Sequence, residues 1–150
     1  MKYDLTKILP HNYPMILIDD IQDVNLDEGW ITATVNIQKD GLFFDSELGG
    51  VSYLTGIEFM AQTIACYAQL KFGSETPKIG FLLGTRSYKA YVPKFEENVT
   101  YEVKAKELYC DNELVSFECF IYNDGKVCAN AMVNAYQPAN AEDFLKKGIK

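Results

Sequence analysis

The chain has 150 residues, a hydrophobic fraction of 48% and a formal net charge of -7. This length and composition predict one globular domain, residues 1–150, with a substantial core. The negative charge argues against nucleic acid as the main partner.

The first predicted elements are a turn of helix and a hairpin. Asp4–Leu9 can form a capped helical turn that Pro10 ends. Apolar residues from Met15 to Val24 predict a strand, and Asn25–Gly29 is a polar turn. Trp30–Ile37 alternates with a period of two, so it predicts the second strand of the hairpin.

A loop over Asp40–Gly50 leads into a predicted long helix, Tyr53–Phe72. This helix is apolar on nearly every side, which is typical of a core helix. Glu58, Gln62 and Gln69 make it too polar for a membrane span.

The rest of the chain predicts strands. They cover Ile79–Val92, Asn98–Tyr109, Leu114–Tyr122 and Val127–Tyr136, and a short helix is expected over Ala141–Lys147. An apolar helix with antiparallel strands indicates an α+β domain in which a curved sheet wraps around the helix, the hotdog architecture. One sheet cannot cover such a helix alone, so we expect a dimer with the sheets joined edge to edge.

The cysteines and the histidine do not predict a metal site. Cys66, Cys110, Cys119 and Cys128 form no Cys-x-x-Cys pair, and His11 is the single histidine. Met1–Asp4 lacks the charged and then apolar pattern of a secretory signal. We therefore expect a cytoplasmic protein with reduced thiols and without a metal or redox cofactor.

Glu58 is the principal candidate for chemistry. The apolar run around it predicts a carboxylate inside the core. Carboxylates are rarely fully buried unless paired, and burial disfavours their charged form. A neutral glutamate can serve as an acid near neutral pH, although a purely structural pairing would also explain the residue.

Four segments carry a resemblance to a known family. In chain order they are Leu9-Pro10-His11-x-x-Pro14-Met15-x-Leu17-x-Asp19, Gly56-Ile57-Glu58-x-Met60-Ala61-Gln62, Ile79-Gly80-Phe81-Leu82-Leu83-Gly84-Thr85-Arg86 and Tyr136-Gln137-Pro138. The chain resembles the hotdog 3-hydroxyacyl-[acyl-carrier-protein] dehydratases, and in particular their ApeP-like branch, which is associated with aryl polyene biosynthesis.

This resemblance implies dehydration of a 3-hydroxyacyl thioester, held by phosphopantetheine on an acyl carrier protein, to the trans-2-enoyl thioester. It also implies an active site between two subunits, with a histidine from one and a helix carboxylate from the other. Glu58 matches that carboxylate. The loop that carries the family histidine corresponds to Phe43–Gly50, which contains none, so His11 is the remaining candidate base.

The start of the long helix supplies further candidates. Free N–H groups near Thr55 and Gly56 could polarise the thioester carbonyl, and Gly56 has no side chain to block a close approach. Gln62 is a further candidate for substrate binding. It lies one helical turn after Glu58 and could orient it by a hydrogen bond, or it could be satisfied in the dimer interface.

Aromatic and basic residues complete the expected substrate site. Tyr53, Phe43, Phe44 and Phe81 could line an acyl tunnel, or they could simply pack in the core. Gly84 is assigned to the substrate-binding residues because it lies in a matched segment. Arg86 and Lys89 are the candidates for a basic mouth that meets the acidic carrier protein.

Two alternatives stay open from the sequence. The chain could be a catalytically weak partner that completes a heterodimer with another hotdog subunit, which the missing loop histidine favours. It could also be an acyl thioesterase, since a carboxylate can activate water for hydrolysis.

Overall fold

The computed structural model describes residues 3–9, 15–72, 82–111 and 114–136. The helices are α1 (Leu5–Ile8) and α2 (Gly56–Phe72), and a short 3-10 turn covers Tyr53–Thr55. The strands are β1 (Asp20–Asn25), β2 (Trp30–Asn36), β3 (Phe44–Asp45), β4 (Gly50–Ser52), β5 (Leu82–Ala90), β6 (Lys94–Glu96), β7 (Thr100–Asp111), β8 (Leu114–Asn123) and β9 (Lys126–Tyr136). His11, Phe81 and the predicted helix over Ala141–Lys147 lie outside the described residues.

Local sequence signals account for several element ends. Asp4 caps α1, because its Oδ1 accepts a hydrogen bond from the Thr6 N–H at 3.1 Å. Asp124 and Gly125 both have positive φ in the turn between β8 and β9, as an Asp-Gly hairpin requires. The capped helical turn that the sequence predicts is therefore confirmed.

Six strands form one antiparallel sheet in the order β1-β2-β7-β8-β9-β5, and β3, β4 and β6 form a smaller sheet. Helix α2 packs against β2, β5, β7 and β8. Alternate residues of β2 and β8 are buried against it, as the period of two predicts. The α+β hotdog arrangement is therefore confirmed.

Among the described residues, two predicted boundaries are wrong by three or more positions. Strand β1 begins at Asp20 rather than Met15, because the backbone groups of Met15 and Leu17 bond to a side chain of α2 and not to a strand. Helix α2 begins at Gly56 rather than Tyr53, because the three residues before it form the 3-10 turn.

The C-terminal end of α2 is held by a polar cluster. The Tyr67 hydroxyl donates to Glu107 Oε2 at 2.5 Å, and Lys71 Nζ lies 2.6 Å from the same oxygen. Burial, followed by the hydrogen bond to Glu107, raises the pKa of Tyr67 to about 12. The cluster joins α2 to β7.

Strands β1 and β5 are the two edges of the large sheet, each paired with one neighbour. β5 follows α2 in the chain and carries the matched residues Gly84 and Arg86. Among the described residues, no helix is long and apolar enough to cross a membrane.

Candidate active site

Glu58 lies in the first turn of α2 and is half-buried. The expectation that it lies inside the core is wrong for the single chain. The neighbouring Phe59 and Met60 are fully buried, so the helix turns Glu58 to the edge of its buried face. A half-buried glutamate at this position can contact a second molecule with its carboxylate while its methylene groups remain packed against the chain.

Gln62 makes three hydrogen bonds and is only 1% exposed. Its Oε1 accepts from the Leu17 N–H at 2.8 Å, and its Nε2 donates to the Met15 carbonyl at 2.8 Å. The Nε2 also donates to Glu58 Oε1 at 3.3 Å. Within the described part of the chain, Glu58 Oε2 has no hydrogen-bond partner.

Gly56 does not have the free N–H that the sequence suggests. Its N–H donates to the carbonyls of Leu54 and Tyr53, because the 3-10 turn places those carbonyls directly before the helix. A Cβ at Gly56 would collide with the Tyr88 hydroxyl. The missing side chain therefore makes room for Tyr88 rather than for a ligand.

Tyr88 is a residue that sequence reasoning missed. It lies on β5 opposite Ala131, which is buried, and its hydroxyl donates to the Tyr53 carbonyl at 2.5 Å. Burial, followed by the nearby Tyr53, raises the pKa of Tyr88 to about 12, so the hydroxyl stays a donor at neutral pH. The signal that could have identified Tyr88 is its inward position in the alternation of β5.

Exposed apolar side chains surround the start of α2. Tyr53 is 39% exposed, Leu54 is 60% exposed and Tyr91 is 56% exposed. Tyr53 and Tyr91 line one surface depression together with Pro93. We refer to Tyr53, Leu54 and Tyr91 as the apolar patch; its exposure is typical of a surface that binds another molecule.

The aromatics expected in one acyl tunnel lie in two places. Phe43 lines a small apolar pocket with Leu17, Val51 and Phe59, whereas Tyr53 belongs to the apolar patch. The pocket is close to the candidate site, because the N–H of Leu17 is the one bound by Gln62.

The remaining candidates are distributed between the helix start and β5. Thr55 is half-buried directly before α2. Gly84 and Lys89 are exposed on β5; Arg86 is on the same strand, and its side chain lies outside the described residues. No three His, Cys, Asp or Glu side chains of the described ranges are grouped so that they could hold a metal ion.

Glu58 can exchange a proton through Oε2, since Oε1 is held by Gln62. A dehydration also requires a second proton-transfer group and a donor for the thioester oxygen. The described residues include no histidine, and the N–H of Gly56 is already bonded to the carbonyls of Leu54 and Tyr53. Among the described residues, Glu58 and Gln62 are the candidate site residues that the structure joins by a hydrogen bond.

Comparison with known proteins gives a consistent result. Residues 3–146 match the ApeP-like family, described as ApeP dehydratase. The chain is 26% identical over 141 residues to the 3-hydroxyacyl-[acyl-carrier-protein] dehydratase FabZ of Protochlamydia amoebophila, covering 92% of this chain and 83% of that protein. It is 26% identical over 144 residues to the FabZ of Syntrophotalea carbinolica, covering 93% and 96%.

Solved structures agree with these relatives. A chain of the dehydratase heterocomplex ApeI:P from Xenorhabdus doucetiae matches with a TM-score of 0.86 and 26% identity, over the whole of both chains. The E. coli PaaI protein from the phenylacetic acid degradation operon matches with a TM-score of 0.60 and 12% identity, covering 80% of this chain and 82% of that one. At that identity the second likeness shows the fold alone.

Proposed function

The chain belongs to the ApeP-like dehydratase family, and from this premise we propose that it acts in the dehydration of a 3-hydroxyacyl thioester carried on an acyl carrier protein. The proton on C2 is removed, the hydroxyl on C3 leaves as water after it is protonated, and the trans-2-enoyl thioester remains. These are proton transfers, so the proposal requires no metal or redox cofactor.

The observation that carries the proposal is the Glu58 carboxylate, held through Oε1 and open at Oε2. Glu58 gives a proton to the departing hydroxyl, and a histidine removes the C2 proton. His11 of this chain is one candidate for that base. A loop histidine of a second hotdog subunit is the other, because residues 43–50 of this chain contain no histidine.

We propose further that the active form is a complex of this chain with a second hotdog subunit. Two observations support a shared site: an exposed apolar patch at the start of the helix that carries the half-buried Glu58, and the likeness to a chain of the ApeI:P dehydratase heterocomplex. In that arrangement this chain supplies the carboxylate even if it is a weak catalyst alone. The thioesterase alternative has no comparable support, since the relatives above 25% identity carry dehydratase names.

The test is a dehydration assay with a 3-hydroxybutyryl thioester on a carrier protein. The purified chain is assayed alone and with a second hotdog subunit from the same organism, as wild type, Glu58→Gln and His11→Ala. Glu118→Gln is the matched control, because it changes a half-buried glutamate on the opposite, outward face of β8. We expect Glu58→Gln to lower kcat by at least about 100-fold and Glu118→Gln to leave it unchanged.

The His11→Ala result identifies the base. A loss equal to that of Glu58→Gln indicates a site built from the two residues, and an unchanged rate assigns the base to the second subunit. Full activity of Glu58→Gln would reject the proposed role of the carboxylate, and release of the free acid instead of the enoyl product would indicate a thioesterase.

A further inference from the structure

The amide of Gln62 has its orientation dictated by the backbone around it. The Leu17 N–H can only donate and the Met15 carbonyl can only accept, so Oε1 must face the former and Nε2 the latter. The second hydrogen of Nε2 is then directed to Glu58 Oε1. A reversed amide would place its NH2 group against the Leu17 N–H and its oxygen against the Met15 carbonyl oxygen, so neither hydrogen bond could form.

Gln62 has no amide hydrogen left to donate to a substrate. Both amide hydrogens are donated within the chain, Oε1 already accepts a hydrogen bond, and the side chain is almost completely buried. A substrate-binding role, which the sequence suggested, would require breaking a donated bond or reaching the second lone pair of Oε1, which is buried. The geometry fits a residue that acts through Glu58.

We propose that Gln62 is a positioning residue that couples the Met15–Leu17 segment to the catalytic carboxylate. The segment fixes the amide, the amide fixes Glu58 Oε1, and Oε2 is thereby directed away from the chain towards the substrate. This inference rests on the proposed function, because it assigns the orientation of the carboxylate on which that function depends.

The coupling has a consequence for assembly of the site. Residues 15–18 lie outside the strands, and the hydrogen bonds of Met15 and Leu17 to Gln62 hold them against α2, whereas the Asp19 N–H donates to the Thr34 carbonyl of β2 at 2.8 Å. Docking of this segment and alignment of Glu58 therefore occur together. His11 precedes Met15 by four positions, so the same amide also anchors the chain next to the candidate base.

The test replaces the amide in two ways in the complex that is active. Gln62→Met keeps the volume and the unbranched shape but removes every polar atom, and Gln62→Glu keeps the shape but replaces the donating nitrogen by an oxygen. Thr63→Val is the matched control, because Thr63 is the next residue, equally buried, and bonds only to the Phe59 carbonyl of its own helix.

We expect both Gln62 variants to lower kcat by about 10- to 100-fold while KM changes less than about twofold, since a misplaced group affects the reaction more than binding. Hydrogen exchange of the Leu17 N–H, which loses its acceptor in Gln62→Met, should become faster in that variant. Thr63→Val should alter neither kcat nor that exchange rate.

Faster exchange at Leu17 with an unchanged kcat would show that Gln62 holds the segment but does not position Glu58, and would overturn the inference. If Gln62→Met does not fold, Gln62→Glu alone tests the inference, and an unchanged kcat in Gln62→Glu would likewise overturn it. Full activity of Glu58→Gln would instead reject the proposed function. The two failures are thus distinguishable.

Discussion

Gly56 and Tyr88 form a contact that only a glycine permits. The space where a Cβ would lie is taken by the Tyr88 hydroxyl, and the ring of Phe95 and the Cδ1 methyl of Ile121 each lie 3.0 Å from that Cβ position. The same hydroxyl bonds to Tyr53 and so holds the 3-10 turn against β5. These residues together fix where α2 begins.

We predict that Gly56→Ala lowers the free energy of unfolding by about 1–3 kcal/mol, because the added methyl overfills the site. Tyr88→Phe removes one hydrogen bond and should cost about 0.5–1.5 kcal/mol. The double variant should lose less stability than the two single losses added together, because the phenylalanine has no hydroxyl at the closest contact with the added methyl. Urea unfolding of the four proteins measures this, and strictly additive losses would contradict it.

At the residue scale, the sequence identifies the candidate site residues more reliably than it predicts the contacts that they make. Glu58 and Gln62 are four positions apart on a helix, so their hydrogen bond is a local consequence of helical geometry. The hydrogen bonds from Gln62 to Met15 and Leu17 span 47 and 45 positions, and a repeating pattern in the sequence cannot predict contacts between residues so far apart. The role expected for Gly56 fails because a 3-10 turn precedes the helix and takes its N–H.

Helix α2 is fixed at both ends, through Tyr88 at its start and through Glu107 near its end. At the second end, the Lys71 side chain is 29% exposed and lies 2.6 Å from Glu107. Partly buried pairs of this geometry contribute more than exposed pairs, because water screens them less.

We predict that Lys71→Met lowers the free energy of unfolding by about 1–3 kcal/mol, since it removes the ammonium group that lies 2.6 Å from Glu107 Oε2. Lys39→Met is the matched control. Lys39 is 77% exposed and lies 3.8 Å from Glu97, so its loss should cost less than about 0.5 kcal/mol. Equal losses in chemical denaturation would contradict the difference between the two pairs.

At the scale of elements, long periodic segments are predictable and short ones are not. The alternation of β2 and β8 and the Asp-Gly turn before β9 are visible in the sequence. Strands β3, β4 and β6 have two or three residues, too few to show a period, and they form the small sheet that the sequence did not reveal.

The whole molecule presents an apolar patch at the start of α2, the helix that carries the candidate carboxylate, and an edge strand, β5, that follows the same helix. Single exposed apolar residues are ordinary, but a group of them beside an incomplete site is typical of an interface. The residues of a second subunit cannot be read from one chain, which is why the sequence predicts the need for a partner but not the partner's contribution.

We predict that Leu54→Glu weakens association with the second subunit at least about tenfold, because it places a charge in the apolar patch. Leu108→Glu is the control, since Leu108 is 49% exposed on β7 and lies near the other end of α2. Analytical ultracentrifugation of both variants, with their melting temperatures, separates association from folding. Weakened association in both, or in neither, would contradict the assignment of the patch.

The attachment of α2 at its start and near its end affects which parts of such a complex can move during catalysis. A helix fixed at its start, at its end and through Gln62 in between is a poor hinge, so Glu58 is not expected to swing during a catalytic cycle. Entry of the acyl group and escape of the enoyl product must then depend on movement elsewhere. If opening of the site to the acyl group limits the turnover rate, that opening depends on both subunits together. The turnover rate should then change with the identity of the second subunit rather than with substitutions in α2.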